Sequence, residues 1–78
     1  MSITNLQIAD SAVAVTPGDS TELSPGILFV GVGGDVAVQT LAGETVTFKN
    51  IADGSYLYTM VVKVLSTGTT AKNILIAR

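Results

Sequence analysis

Six short runs in which apolar and polar residues alternate are the feature that most constrains how this chain folds. Alternation with a period of two places successive side chains on opposite faces of an extended chain, and Val, Ile and Thr are abundant in these runs. No stretch has the apolar period of a helix. The runs therefore predict β-strands at residues 12–16, 27–32, 35–40, 44–49, 56–65 and 73–77.

Turn-forming residues separate the runs at intervals of roughly 8–12 residues, which is typical of small antiparallel β folds. We therefore expect an all-β chain, built as a small antiparallel β-sandwich or barrel of about six strands. Residues 1–11 are predicted to be an N-terminal arm and residues 12–78 a single β domain. The first ten residues have no basic stretch or long apolar run, and no span of ~20 apolar residues follows, so we expect neither a signal peptide nor a membrane segment.

The amino-acid composition excludes most kinds of catalytic site. The 78 residues include no Cys, His or Trp, which excludes a histidine base, a cysteine nucleophile and zinc sites of the Cys/His kind. The net charge is −2, and the four basic residues are widely spaced, so no surface for nucleic acid is expected. We predict a protein that is not an enzyme and has no cofactor.

Glycines 33 and 34 suggest two kinds of structure, a phosphate-binding loop or a tight turn. A phosphate loop needs a helix directly after the glycines, whereas here a strand pattern follows. We therefore predict a two-residue hairpin between the second and third strands, in which Gly34→Val costs a few kcal/mol. The polar turn at residues 67–70 is expected to bond to its own local backbone.

Two further site hypotheses rest on loop carboxylates and on tyrosines. Asp19 and Glu22, together with acidic residues of other loops, suggest a calcium site or an acid pair, but no loop has the dense acidic ligands of a dedicated metal site. We therefore expect no metal site. Tyr56 and Tyr58 suggest sugar stacking, although tyrosine on a strand more often packs in a core or an interface.

The run at residues 56–65 is apolar on both faces, which is more than one small core can cover. Only one of the two faces contains Thr and Lys, so we assign that face to contact with another subunit and the other face to the core. The predicted core face is Tyr56, Tyr58, Met60, Val62 and Val64. The predicted interface is Leu57, Thr59, Val61, Lys63 and Leu65. A loop that covers one side of this strand is the alternative.

Charge is divided unevenly along the chain. Residues 1–48 contain five acidic residues and no basic one, and residues 49–78 contain four basic residues and one acidic residue. The two halves either interleave within one fold or set an acidic edge against a basic edge in head-to-tail assembly. A chain this short buries only about 60–65% of its unfolded surface, so help from partner chains is expected.

Four segments in fixed order resemble the small spike base protein family of tailed phages and gene transfer agents. They are VTPGDS at residues 15–20, GILFVGVGGDVAV at 26–38, TVTFKNI at 45–51 and STGTTA at 66–71, followed by Ile74. The resemblance covers about residues 13 to 76, nearly the whole chain.

This resemblance implies a non-enzymatic virion structural protein, made in the host cytoplasm. It would act on the capsid exterior as a spike base or head decoration, as a trimer or pentamer, in contact with the major capsid protein or other virion proteins. A neck, tail or baseplate adaptor is the alternative within the structural class. A small carbohydrate-binding module that uses Tyr56 and Tyr58 is the alternative from another class.

Overall fold

The computed structural model describes residues 11–78, and all six predicted strands are present with ends within two residues of the expected positions. They are β1 (Ala12–Val15), β2 (Gly26–Val32), β3 (Gly34–Thr40), β4 (Thr45–Ile51), β5 (Ser55–Val64) and β6 (Lys72–Ala77). The described residues form no helix that could cross a membrane. The all-β prediction is confirmed.

The strands form one antiparallel sheet in the order β1-β6-β2-β5-β3-β4. Inward-facing residues of β6 and β2, on one side of β5, and of β3, on its other side, share a single core, so these two parts of the sheet curve around that core. The core residues are Leu28, Val30, Val36, Val38, Leu57, Val61, Val64, Ala71, Ile74 and Ile76. Because one core holds both parts together, their outer faces point away from each other.

Strand β5 joins the two parts of the sheet. Residues 55–61 pair with β2, and residues 61–64 pair with β3. Two adjacent residues of β3, Gln39 and Thr40, lie opposite Lys63 and Val61, which leaves Val62 as an extra residue in a β-bulge. The alternation of faces is therefore interrupted at Val62.

The connection at Gly33 and Gly34 differs from the prediction. Strand β2 pairs with β5 and β6, and β3 pairs with β4 and β5, so the predicted hairpin between β2 and β3 is wrong. The two glycines instead turn the chain between the two parts of the sheet. A Cβ on Gly33 would overlap the carbonyl oxygen of Ile51, and one on Gly34 (φ +151°) would lie 2.7 Å from Thr70 Oγ1. Backbone crowding at this corner requires glycine.

The segment after β5 runs along β3. Thr69 Oγ1 accepts a hydrogen bond from the backbone N–H of Ala37 (3.0 Å), and Thr70 Oγ1 accepts one from that of Asp35 (2.9 Å). These bonds are long-range, which corrects the expectation that the threonines bond their own turn. The same segment covers Ala37, which is buried.

Most of the predicted N-terminal arm, residues 1–11, lies outside the described residues. Ser11 is described and exchanges two backbone hydrogen bonds with Arg78, of 3.2 and 2.9 Å. The pairing of β1 with β6 therefore includes Ser11.

Candidate interaction surfaces

Asp19 holds the turn that follows β5. Its Oδ1 accepts hydrogen bonds from the backbone N–H groups of Ser66 (2.9 Å) and Thr67 (3.0 Å) and from the Ser66 hydroxyl (3.1 Å). Its Oδ2 accepts one from the Thr67 hydroxyl (2.7 Å). These bonds, the backbone bond from Thr67 first, hold the pKa of Asp19 below its ordinary value. The carboxylate is thus engaged in fixing a turn.

Two other carboxylates have similar structural roles. Asp35 Oδ1 accepts a hydrogen bond from the backbone N–H of Asn50 (3.1 Å), and Asp53 Oδ1 accepts one from that of Gly33. Within residues 11–78, no three acidic side chains come close enough together to hold a metal ion. The loop carboxylates therefore stabilise connections at separate places.

The outer face of the first part of β5 carries an exposed ridge. We define the tyrosine ridge as Tyr56, Tyr58 and Met60, whose exposed fractions are 51%, 79% and 44%. The two tyrosine rings are stacked with centroids 5.7 Å apart, and the ring of Phe29 on β2 lies 5.0 Å from that of Tyr56. Such aromatic pairs restrain ring orientation, so the ridge presents an ordered surface.

The ridge belongs to a larger apolar face. Phe29 lies opposite both Tyr56 on β5 and Leu75 on β6, and Leu75 lies opposite Ala14 on the edge strand β1. Residues directly opposite each other in an antiparallel sheet share one face. The row therefore runs across four strands, β1, β6, β2 and β5, and none of its members is charged.

An open groove lies on the outer face of the other part of the sheet. We define the threonine groove as the depression of about 490 Å³ between β3, β4 and the end of β5. Its lining includes Ala37, Gln39, Thr45, Thr47, Lys63 and Leu65. Asp19 and Thr67, which are hydrogen-bonded to each other, also line it. The groove thus combines apolar walls with hydroxyl, amide and charged groups.

The predicted division of β5 into a core face and an interface face needs correction. Alternation predicts Tyr56, Tyr58 and Met60 in the core, yet they form the exposed ridge. The same pattern predicts Leu57 and Val61 on an intersubunit surface, yet they are 8% and 0% exposed and belong to the core of this chain. Because of the bulge at Val62, the next residue after Val61 that faces inward is Val64, which lies in the core as predicted.

The remaining predicted interface residues lie on different parts of the strand. Lys63 and Leu65 line the threonine groove, and Thr59 is half-buried between Leu57 and Val61. Their role as contact residues stays a prediction. The alternation of residues 56–60 did reveal two faces, but only the register with β2 shows which one faces inward, because Leu57 lies opposite the buried Leu28.

No family model matches this chain, and no curated protein matches it. A solved structure described as "Capsid of native GTA particle computed with C5 symmetry" contains a chain with 32% sequence identity to this one. The alignment covers 100% of both chains with a TM-score of 0.78. The likeness of fold therefore extends over both parts of the sheet.

Proposed function

Since this chain belongs to the family of a protein found in the capsid of a gene transfer agent (GTA) particle, we propose that it is a virion structural protein. The observation that carries this proposal is the full-length match at 32% identity with a TM-score of 0.78. The described residues support it, because the carboxylates of Asp19, Asp35 and Asp53 accept hydrogen bonds from backbone N–H groups and so stabilise the connections of the fold. A rigid structural module without catalytic activity fits both observations.

We propose more specifically that the chain acts on the exterior of the head, as the base of a spike or as a decoration, and that it assembles with copies of itself. Tyr58 and Tyr56 together expose roughly 200–300 Å² of side-chain surface, and single chains rarely expose more than a few hundred Å² of contiguous apolar surface. Met60 and the uncharged row across β2, β6 and β1 enlarge this area. A protein partner that covers the face is the economical explanation.

Deleting the gene in a strain that produces the particles tests this role. An exterior spike base or decoration predicts filled heads with tails attached that lack an external feature in electron micrographs, and purified protein that binds back to those heads. A neck, tail or baseplate adaptor predicts heads that lack tails. Intact particles that lack no feature and do not bind the protein would contradict a virion role.

Carbohydrate binding is a second candidate, favoured by the exposure of the two stacked tyrosines. Aromatic rings on a surface are suitable platforms for the apolar face of a sugar ring. Binding of the isolated protein to a glycan array, lost in Tyr58→Ala and kept in Leu41→Ala, would support this candidate. Leu41 is a matched control because its side chain is also exposed, at 57%, but lies outside the ridge.

A further inference from the structure

We propose that the tyrosine ridge of one copy packs into the threonine groove of the next copy, so that the chain forms a head-to-tail ring. This inference rests on the proposed self-assembly and names its two contact surfaces. The ridge lies on residues 56–60 of β5 and the groove is lined by residues 63 and 65 of the same strand. The bulge at Val62 separates the two segments.

The placement of the two surfaces favours a ring over a two-fold dimer. The parts of the sheet paired through β2 and through β3 enclose one core, so the ridge and the groove face away from each other. Two different surfaces on opposite sides of a subunit produce heterologous contacts, which close into rings when the rotation permits. A two-fold dimer would use only one of the surfaces and would leave the other uncovered.

The chemistry of the groove suits a tyrosine. Leu65 offers apolar contact to an aromatic ring, while the exposed Thr45 and Thr47 offer hydrogen bonds from their hydroxyls to a phenol oxygen. Tyr58 is 79% exposed, the groove has a volume of about 490 Å³, and the ridge carries no charge that would be buried unpaired. The chain therefore contains both a projecting aromatic group and a depression of matching character.

The chain has enough accessible surface for the two contacts that a ring requires of each copy. A standard interface buries about 800 Å² on each partner, so a ring with two contacts per copy needs about 1,600 Å². The chain has 4847 Å² of accessible surface, of which this is about a third. The tyrosines alone contribute roughly 200–300 Å² to the ridge side, and the neighbouring apolar row adds to it. In a ring, one neighbouring copy covers the ridge and the other neighbouring copy covers the groove.

Complementary variants test the contact by size-exclusion chromatography with light scattering. Tyr58→Glu disables the ridge and leaves the groove intact, while Thr47→Glu disables the groove and leaves the ridge intact. Both positions are exposed, so each variant should keep the wild-type circular dichroism spectrum. We expect each to raise the concentration of half-dissociation at least about 30-fold. Ser24→Glu, at an exposed loop position outside both surfaces, should remain assembled.

An equimolar mixture of the two variants gives the decisive result. Tyr58→Glu retains a groove and Thr47→Glu retains a ridge, so the mixture should form one contact and stop at a dimer. A monomeric wild-type chain at micromolar concentration, a Thr47→Glu variant that stays assembled, or a mixture that stays monomeric would overturn the proposal. The deletion and binding-back experiment decides the virion role independently of these outcomes.

Discussion

Asp19 is an exposed carboxylate whose position depends on residues 47 and 48 places away in sequence, Ser66 and Thr67. Four hydrogen bonds converge on it and stabilise its charged form. The interaction joins the loop after β1 to the turn after β5, and both line the threonine groove. A single carboxylate thus helps to shape one of the two proposed contact surfaces.

The lowered pKa of Asp19 predicts a dependence of stability on pH. Because the folded pKa lies below the unfolded pKa of about 3.9, the stabilisation is complete above the unfolded value. It is lost as the pH falls through the lower folded value. Asp19→Asn should therefore be less stable than wild type at pH 6, and the difference should shrink towards pH 2, as measured by denaturant midpoints.

Glu22→Gln is the control for this prediction, because it removes one carboxylate charge from the same loop without touching the bonds of Asp19. Its stability difference from wild type should be smaller at pH 6 than that of Asp19→Asn. Equal pH profiles for wild type and Asp19→Asn would contradict the role assigned to Asp19.

At the scale of elements, β5 and the corner before β3 determine how one sheet encloses one core. Val61 is fully buried, whereas its neighbour Val62 occupies the bulge and is half-buried. The two valines are adjacent and identical in chemistry. They therefore form a matched pair for testing the bulge.

Val61→Asp should unfold the domain or lower its thermal midpoint by more than about 12 °C. A carboxylate there would be buried among apolar side chains, which costs about 3 kcal/mol or more. Val62→Asp should cost less, because part of its side chain already contacts solvent. Circular dichroism melting curves measure both. A larger loss for Val62→Asp would mean that the faces of β5 are reversed.

Gly33→Ala should destabilise the corner between β2 and β3 by about 2–4 kcal/mol, because the added methyl would overlap the backbone carbonyl of Ile51. Gly43→Ala is the control: its φ is +98° but nothing lies within 4 Å of the added Cβ, so only about 1–2 kcal/mol of backbone strain is expected. Chemical denaturation measures both. Equal losses would show that crowding at Ile51 is not the reason for glycine.

At the scale of the whole molecule, the small size of the core is the reason why one outer face of the sheet remains apolar and exposed. A chain of 78 residues cannot bury every apolar side chain of a two-faced strand, so Tyr56, Tyr58 and Met60 remain outside. Assembly would remove this surface from water. Stability of the fold and self-association are then coupled by mass action.

This coupling predicts a thermal midpoint that depends on protein concentration. For the wild-type chain, we expect an increase of about 4–8 °C for each tenfold rise in concentration. Tyr58→Glu, which should be monomeric, should melt at a temperature independent of concentration. Differential scanning calorimetry over a dilution series makes the comparison. A constant midpoint for the wild-type chain would show that folding does not depend on assembly.

The positions and types of the strands could be read from sequence, because alternation, β-branched residues and turn residues act locally along the chain. Segments such as residues 15–20 and 26–38 likewise carry the resemblance to a virion protein family in the sequence itself. Which strands pair with each other could not be read from sequence. Gly33 and Gly34 resemble a hairpin turn locally, and only the non-local pairing of β2 with β5 and β6 shows that they form a corner.

The two proposed contact surfaces depend on tertiary structure for the same reason. Alternation shows that β5 has two faces, but a strand does not specify by itself which face turns inward, and a bulge reverses that choice partway along. Val62 is bulged where the pairing of β5 with β2 ends and its pairing with β3 begins. That arrangement exposes Tyr58, buries Val61 and places the groove beyond them.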